Sequence, residues 1–254
     1  MKLETSSAVI TGGASGLGYA TAEKLISRGA SVVIVDINAE AGTAAAEQLG
    51  PSAAFVAADV LDSDAFGTAL DRAAERAPLR ALVHCAGRGA TVRVVDRDGK
   101  PGSLEDFTKI VELNLIGSYN VLRLAAARMV ANEPLDEERG VCVMTSSIAA
   151  WEGQIGQTPY AASKAGIVGL TLVAARDLAS RRVRVCSIAP GIFDTPILNR
   201  LPQEVKDKLA ASIPNPSRLG KADEFAHLAD AIIGNAMLNG ETIRLDGAIR
   251  MAPR

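Results

Sequence analysis

Aromatic side chains are scarce in this 254-residue chain, at 4% of positions. That scarcity, beside an abundance of Ala, Val, Ile, Leu and Gly, suits parallel strands covered by helices better than a β-sandwich. Cysteine is rare too: Cys85, Cys142 and Cys186 lie far apart and form no CxxC, and the only histidines are His84 and His227. A zinc site and a disulfide framework are therefore not expected, and free thiols fit a reducing compartment. No run approaches the ~18 apolar residues a membrane span needs. The opening MKLETSSAVITGG has no apolar stretch of the secretory kind, so a soluble, cytoplasmic protein with no membrane partner is expected. Neither charge dominates: 27 Lys and Arg against 29 Asp and Glu give a net charge of −2. With no basic stripe, no nucleic-acid partner is expected. What remains is 48% hydrophobic and 22% charged, which excludes a disordered chain.

Short apolar runs alternate with longer helical ones. Ser7–Ile10 reads as a first strand, followed by a glycine-rich turn and a helix carrying Leu17, Ala20, Ala22, Leu25 and Ile26, with Gly29 as its C-cap. Strands are expected at 31–36, 53–60, 81–87 with its loop, 140–146, 183–190 and 241–245. Helices are expected at 39–49, 63–77, from about Leu104 to Asn132, over Pro159–Ser180 and at 222–234. Repeated β-α units imply an α/β fold with a parallel sheet and right-handed crossovers. Length also permits a (β/α)₈ barrel. The first turn decides against the barrel. Two stretches break the rhythm. Residues 88–103 are charged, contain glycine and read as an inserted binding loop or hairpin. Residues 191–221 hold a short amphipathic piece near 203–212 and read as a lid.

That first turn, Thr11-Gly12-Gly13-Ala14-Ser15-Gly16-Leu17-Gly18, lies between a strand and a helix. Glycines let the backbone approach a pyrophosphate, and the free N–H groups at the helix start favour its charge. Asp36 ends the second strand, eighteen residues past Gly18. It is placed either to accept from the adenosine ribose hydroxyls or simply to turn the chain. Its charge would repel a 2′-phosphate, and Ile37 after it offers no cation, so NAD is favoured over NADP. Asp59 suits either an adenine amino group or a helix N-cap.

Tyr160 and Lys164 stand four residues apart at the start of a long helix and so share a face; Ser147 lies just beyond a strand end. Reduction of a ketone by hydride leaves an alkoxide that needs a proton, which a tyrosine can donate, or remove in the oxidative direction. Ionising a phenol of pKa near 10 at neutrality costs about 4 kcal/mol. One positive charge about 4 Å away, at an effective dielectric of about 20, supplies roughly that. Lys164 is the expected source. Ser147 can hydrogen-bond the carbonyl oxygen as charge builds there; Ser146 beside it reads as an ordinary strand-end hydroxyl.

In this order the glycine turn, Asp59, Cys85-Ala86-Gly87, Asn114, Ser147, Tyr160, Lys164 and Pro190-Gly191 resemble the short-chain dehydrogenase/reductase family over nearly the whole chain. The resemblance implies a single, doubly wound Rossmann-type domain over 1–254, with a seven-stranded parallel sheet flanked by helices. It implies a role for Asn114 in holding the long helix around a backbone distortion and in a proton path to Lys164. It also implies cofactor contacts from Gly12, Ser15, Gly16, Leu17, Gly18, Asp36, Asp59, Val60, Cys85, Ala86, Gly87, Tyr160, Lys164, Pro190, Phe193 and Thr195. Many members carry two asparagines where this chain has His84-Cys85; His84 is expected to be a packed strand residue.

Within the family, AAWEGQIGQTPYAASKAGIVGLTL, IAPGIFDTPIL and LNGETIRLDGAIRM are similar to the branch acting on 3-hydroxyacyl-CoA, which implies NAD as cofactor, an acyl-CoA-like substrate and a homotetramer. Arg88, Arg93, Arg97 and Lys100 are placed either to meet CoA phosphates or to be solvated beside Asp96 and Asp98. Other enzyme readings are a 3-ketoacyl-carrier-protein reductase and a steroid or other alcohol dehydrogenase. A noncatalytic dinucleotide-binding protein is the reading of a different class, and the presence of Ser147, Tyr160 and Lys164 speaks against it.

Overall fold

The computed structural model describes residues 3–196, 198 and 201–253. Its centre is a seven-stranded sheet in the order β3-β2-β1-β4-β5-β6-β7, parallel throughout. The strands are β1 (Ser7–Thr11), β2 (Ser31–Asp36), β3 (Ala53–Ala57), β4 (Leu79–His84), β5 (Gly140–Thr145), β6 (Val183–Pro190) and β7 (Thr242–Leu245). β1 pairs with both β2 and β4, so the winding direction reverses there, and the crevice at the carboxyl ends of these strands is where such folds take ligands.

Successive side chains on a strand point to opposite faces. Val9, Val33, Leu82 and Cys142 enter one apolar layer with Phe66, Val121, Met129 and Ile167. Their neighbours Ile10, Ile34, Val83 and Val143 enter the other with Leu25, Phe225 and Ile232. Burial on both faces explains why these strands read as unbroken apolar runs. One layer is covered by α3 (Ser63–Arg76), α5 (Gly117–Val130) and α7 (Thr158–Leu178), the other by α1 (Gly16–Ser27), α2 (Ala39–Leu49) and α9 (Ala222–Gly234).

The helix starts follow from side-chain caps. Asn38 Oδ1 accepts from Ala41 N–H at 3.1 Å, Asp62 from Asp64 and Ala65 N–H at 3.0 Å each, and Ser103 Oγ from Asp106 N–H at 3.0 Å at the start of α4 (Leu104–Val111). Asp62, not Asp59, caps α3. β3 ends at Ala57, three residues short of the expected Val60: Ala58 and Val60 are buried, but in the loop. The helix expected from Leu104 to Asn132 is α4 and α5 joined by a π-helical turn, Glu112–Ile116, with Asn114 inside it. A four-residue helix, α6 (Ala149–Glu152), was not anticipated.

The 88–103 stretch is a hairpin-like loop. Val95 bridges Pro101 across a turn, and Val92 bridges Gln157. Val92 N–H donates to the Gly156 carbonyl at 2.7 Å, and Thr158 Oγ1 to the Val92 carbonyl at 2.7 Å, so the loop is stitched to the entrance of α7. Within 191–221, Asp194 N–H donates to the Gly220 carbonyl at 2.8 Å and Gly220 N–H to Ile192 at 2.9 Å, closing the base of the segment; α8 (Gln203–Ala211) lies between. Ile197, Asn199 and Arg200 of this stretch lie outside the described residues. No helix among the described residues is long and apolar enough to cross a membrane.

Candidate active site

The glycine turn packs as its residue types require. Gly12 and Gly16 hold φ of +64° and +54°, values that favour glycine. A Cβ at Gly12 would lie 2.9 Å from Ala86 N, and one at Gly18 would overlap the Gly12 carbonyl. Ser15 precedes α1 and makes no side-chain cap, leaving the first-turn N–H groups of Gly16, Leu17 and Gly18 to an outside acceptor. Thr195 and Pro196 approach this turn: a Cβ on Gly16 would be 3.4 Å from Pro196 Cδ and 3.7 Å from Thr195 Cβ. Asp36 closes β2 beside it. Its Oδ2 accepts from Ala14 N–H at 3.4 Å and its Oδ1 from Asn38 N–H at 3.1 Å. Ile37 is 76% exposed, so no cation accompanies the carboxylate from that position. Glycines without room for a Cβ, a bare helix start and a carboxylate beyond it fit a dinucleotide.

The other expected contacts vary in their surroundings. Asp59 is exposed, and its carboxylate holds Leu61 N–H at 2.9 Å, an Asx turn rather than a cap. Val60 is buried against Gly117, and its carbonyl accepts from Asn120 Nδ2 at 2.8 Å. Phe193 is 7% exposed and packs in the core, with Gly220 against its ring. After β4, Cys85 N–H donates to the Thr11 carbonyl at 3.1 Å and Ala86 N–H to Thr11 Oγ1 at 3.2 Å, which ties Cys85-Ala86-Gly87 to the glycine turn. Burial pushes the Cys85 thiol up to about 12, so it stays protonated. Pro190 ends β6, and its carbonyl accepts from Ile148 N–H at 3.2 Å.

Ser147, Tyr160, Lys164 and Asn114 converge. Ser147 follows β5, is 8% exposed, and its Oγ accepts from Ala149 N–H at 3.1 Å as α6 begins. Tyr160 sits in the first turn of α7, behind Pro159, a residue suited to a helix start. Burial raises the pKa of its phenol, and the neighbouring Ser147 hydroxyl opposes the rise. Lys164, one turn on, is buried, donates from Nζ to the Thr145 carbonyl at 2.8 Å, and lies 5.7 Å from the Tyr160 ring centroid. Burial brings its pKa down to about 8. The expected fall in the phenol pKa is not met in the protein alone, because desolvation dominates at Tyr160.

Asn114 is fully buried. Its Oδ1 accepts from Arg88 N–H at 3.0 Å and its Nδ2 donates to the Arg88 carbonyl at 2.8 Å, so the start of the 88–103 loop is fastened to the π-turn. A Cβ on Gly87 would stand 2.8 Å from Asn114 Oδ1 and 3.5 Å from Lys164 Nζ, which puts the π-turn and the lysine side by side. Ser146 turns away and donates to the Lys164 carbonyl at 2.8 Å. Sequence reasoning missed Thr145, whose part is played by a main-chain carbonyl that no residue type announces. Among the described residues no group of His, Cys, Asp or Glu is placed to hold a metal ion.

A phenol, an ammonium and a hydroxyl at the carboxyl edge of a parallel sheet, beside a glycine turn shaped for a pyrophosphate, define an oxidoreductase of the dinucleotide-binding kind. The short chain dehydrogenase family model matches residues 6–206, and the chain belongs to that family. It is 50% identical to the human 3-hydroxyacyl-CoA dehydrogenase type-2 over 250 residues, 97% of this chain and 95% of that protein. It is 47% identical to the Drosophila melanogaster protein of the same name over 254 residues, 99% of this chain and all of that one. The crystal structure of 3-hydroxyacyl-CoA dehydrogenase type-2 from Mycobacterium avium superposes with a TM-score of 0.97 at 48% identity, covering 99% of this chain and 98% of that one.

Proposed function

We propose that this oxidoreductase interconverts 3-hydroxyacyl-CoA and 3-ketoacyl-CoA with NAD as cofactor, and that Ser147, Tyr160, Lys164 and Asn114 carry the proton chemistry. The observation behind this is the meeting of Ser147, Tyr160 and Lys164 beside the glycine turn, in a chain half identical to proteins named for that substrate. Bound NAD(H) supplies or accepts the hydride. Ser147 Oγ donates to the substrate oxygen at the reacting carbon and holds it against the Tyr160 hydroxyl. In reduction, the proton on Tyr160 Oη passes to the alkoxide oxygen as the C–H bond forms; in oxidation, Oη takes the alcohol proton as hydride leaves. Lys164 stabilises the phenolate, and Asn114 positions the π-turn from which a proton reaches Lys164.

Asp36 supports NAD over NADP. Its carboxylate keeps lone pairs beyond the two N–H groups it already accepts, enough for ribose hydroxyls, and its charge opposes a 2′-phosphate. The cofactor is held along Gly12, Ser15, Gly16, Leu17, Gly18, Asp36, Asp59, Val60, Cys85, Ala86, Gly87, Pro190, Phe193 and Thr195, with 191–221 as the lid of a single domain. A groove of about 480 Å³ at the 88–103 loop, lined by Arg93 and Arg97 together with Asp96 and Asp106, offers an acyl-CoA thioester room and two cations. Leu115 of the π-turn covers Gly166 on one side of α7, while Leu172 and Val173 stay 44% and 62% exposed, which fits contact between subunits of a homotetramer. Three free thiols fit a reducing, cytoplasmic setting.

The test is initial-rate measurement with acetoacetyl-CoA, 2-methyl-branched acyl-CoAs, acetoacetyl-carrier protein and steroid ketones, each with NADH and with NADPH. Fast NADH-linked reduction of acetoacetyl-CoA supports the proposal. Preference for the carrier-protein thioester with NADPH, or for a steroid, overturns it.

A further inference from the structure

We propose that His84 is a positioning residue, the centre of a hydrogen-bonded ring of fixed polarity that holds Asn114 and the Ala86-Gly87 loop in place around Lys164; this rests on the dehydrogenase reading above. The polarity follows from counting hydrogens. Ser118 Oγ has one, and it goes to the Asn114 carbonyl at 2.6 Å. Its 2.9 Å contact with His84 Nε2 therefore makes Nε2 the donor. A neutral imidazole then has a bare Nδ1, which accepts from Thr11 Oγ1 at 2.7 Å. The Thr11 oxygen, having given its hydrogen, accepts Ala86 N–H at 3.2 Å. Every donor and acceptor along Ala86, Thr11, His84, Ser118 and Asn114 is matched.

The two ends meet. Gly87, next to Ala86, lies against the Asn114 carboxamide, with Lys164 Nζ beside both. The ring thus links the end of β1, the end of β4 and the π-turn. A serine bonding back to the carbonyl four residues earlier is ordinary in helices; a buried imidazole that continues the bond into the cofactor turn is not. His84, Thr11, Asn114 and Ser118 are each fully buried, so any member left unpartnered carries a full desolvation penalty. Burial, reinforced by the nearby Lys164 charge, brings the imidazole pKa down to about 3, in keeping with a ring that never charges. A second proton would face the Thr11 hydroxyl hydrogen and break the sequence of donors.

The chain has only two histidines, and His227 is exposed, so ¹⁵N-histidine NMR of the intact protein resolves them. The expected spectrum shows His84 as the Nε2–H tautomer, unchanged between about pH 5 and 8. Kinetics supply the second arm. His84→Leu, which has neither donor nor acceptor, is expected to lower kcat by about 10- to 100-fold through displacement of Asn114. Ser118→Ala should give a similar loss, the double variant no further loss, and His84→Gln, with both an acceptor and a donor, should restore most of the rate. A titrating or Nδ1–H His84, an unaltered kcat in His84→Leu, or losses that multiply in the double variant would each overturn the ring. Absence of dehydrogenase turnover in the unaltered protein would instead overturn the function, and the tautomer is read independently of turnover.

Discussion

Replacing Lys164 by Met removes the ammonium that lies over the Tyr160 ring while keeping much of the side chain's bulk. At the 5.7 Å between Nζ and the ring centroid, an effective dielectric of about 20 makes the ammonium worth about 3 kcal/mol to the phenolate. That corresponds to a loss of about 100-fold in kcat/KM for oxidation of 3-hydroxybutyryl-CoA at pH 7, since each tenfold is about 1.4 kcal/mol. The deficit has a predicted pH dependence. Burial holds the Lys164 pKa down to about 8, so below that pH the unaltered enzyme has its ammonium and above it the amine is neutral. The gap between the two enzymes is therefore widest near neutrality and narrows as pH rises past about 8. Initial rates of NADH formation across pH, with NADH binding followed by fluorescence in parallel, measure it. A deficit of constant size at every pH would show that Lys164 acts by shape alone, and no deficit would remove its charge from the reaction.

Asp36→Ala should erode discrimination against NADP, raising kcat/KM with NADPH relative to NADH; an unchanged ratio would exclude the ribose contact. Arg184→Met breaks a buried ion pair, 2.6 Å long with both side chains under a tenth exposed, and leaves the carbonyls of Ile232, Ile233 and Leu238 without their guanidinium. Urea unfolding should show a loss of about 3–5 kcal/mol, much of it regained in Arg184→Met with Glu138→Leu. Arg218 holds the Glu224 carboxyl down from its ordinary 4.5 to about 2. A depressed carboxylate adds stability above its unfolded pKa and loses it as pH falls through the folded one. Arg218→Gln should therefore lower Tm above pH 4.5, with the difference closing as pH falls towards 2; calorimetry at several pH values checks this.

Residues that act through pattern were legible in the sequence. The apolar runs at 31–36 and 183–190 and the helix at 222–234 have in the structure the bounds their periodicity indicates. β3 was overextended because Ala58 and Val60 are apolar and buried, features that mark a core loop as well as a strand. α6 is four residues long, too short for a period. The spacing of Tyr160 and Lys164 indicated a shared helix face but not that a carbonyl from β5 receives the ammonium. The π-turn at Asn114 was visible only through family resemblance, since one extra residue in a helical turn barely disturbs an amphipathic pattern. The His84 ring was not legible at all. Thr11, His84 and Ser118 come from three distant segments, and only the pairing of β1 with β4 and the packing of α5 bring them together.

The most direct test of the account is the turnover of Tyr160→Phe, which deletes one oxygen and leaves the ring, Lys164 and the glycine turn. The account predicts that reduction of acetoacetyl-CoA by NADH falls to background while NADH still binds with close to its usual Kd. Turnover at the level of the unaltered enzyme would contradict it and remove the phenol from the proton transfer.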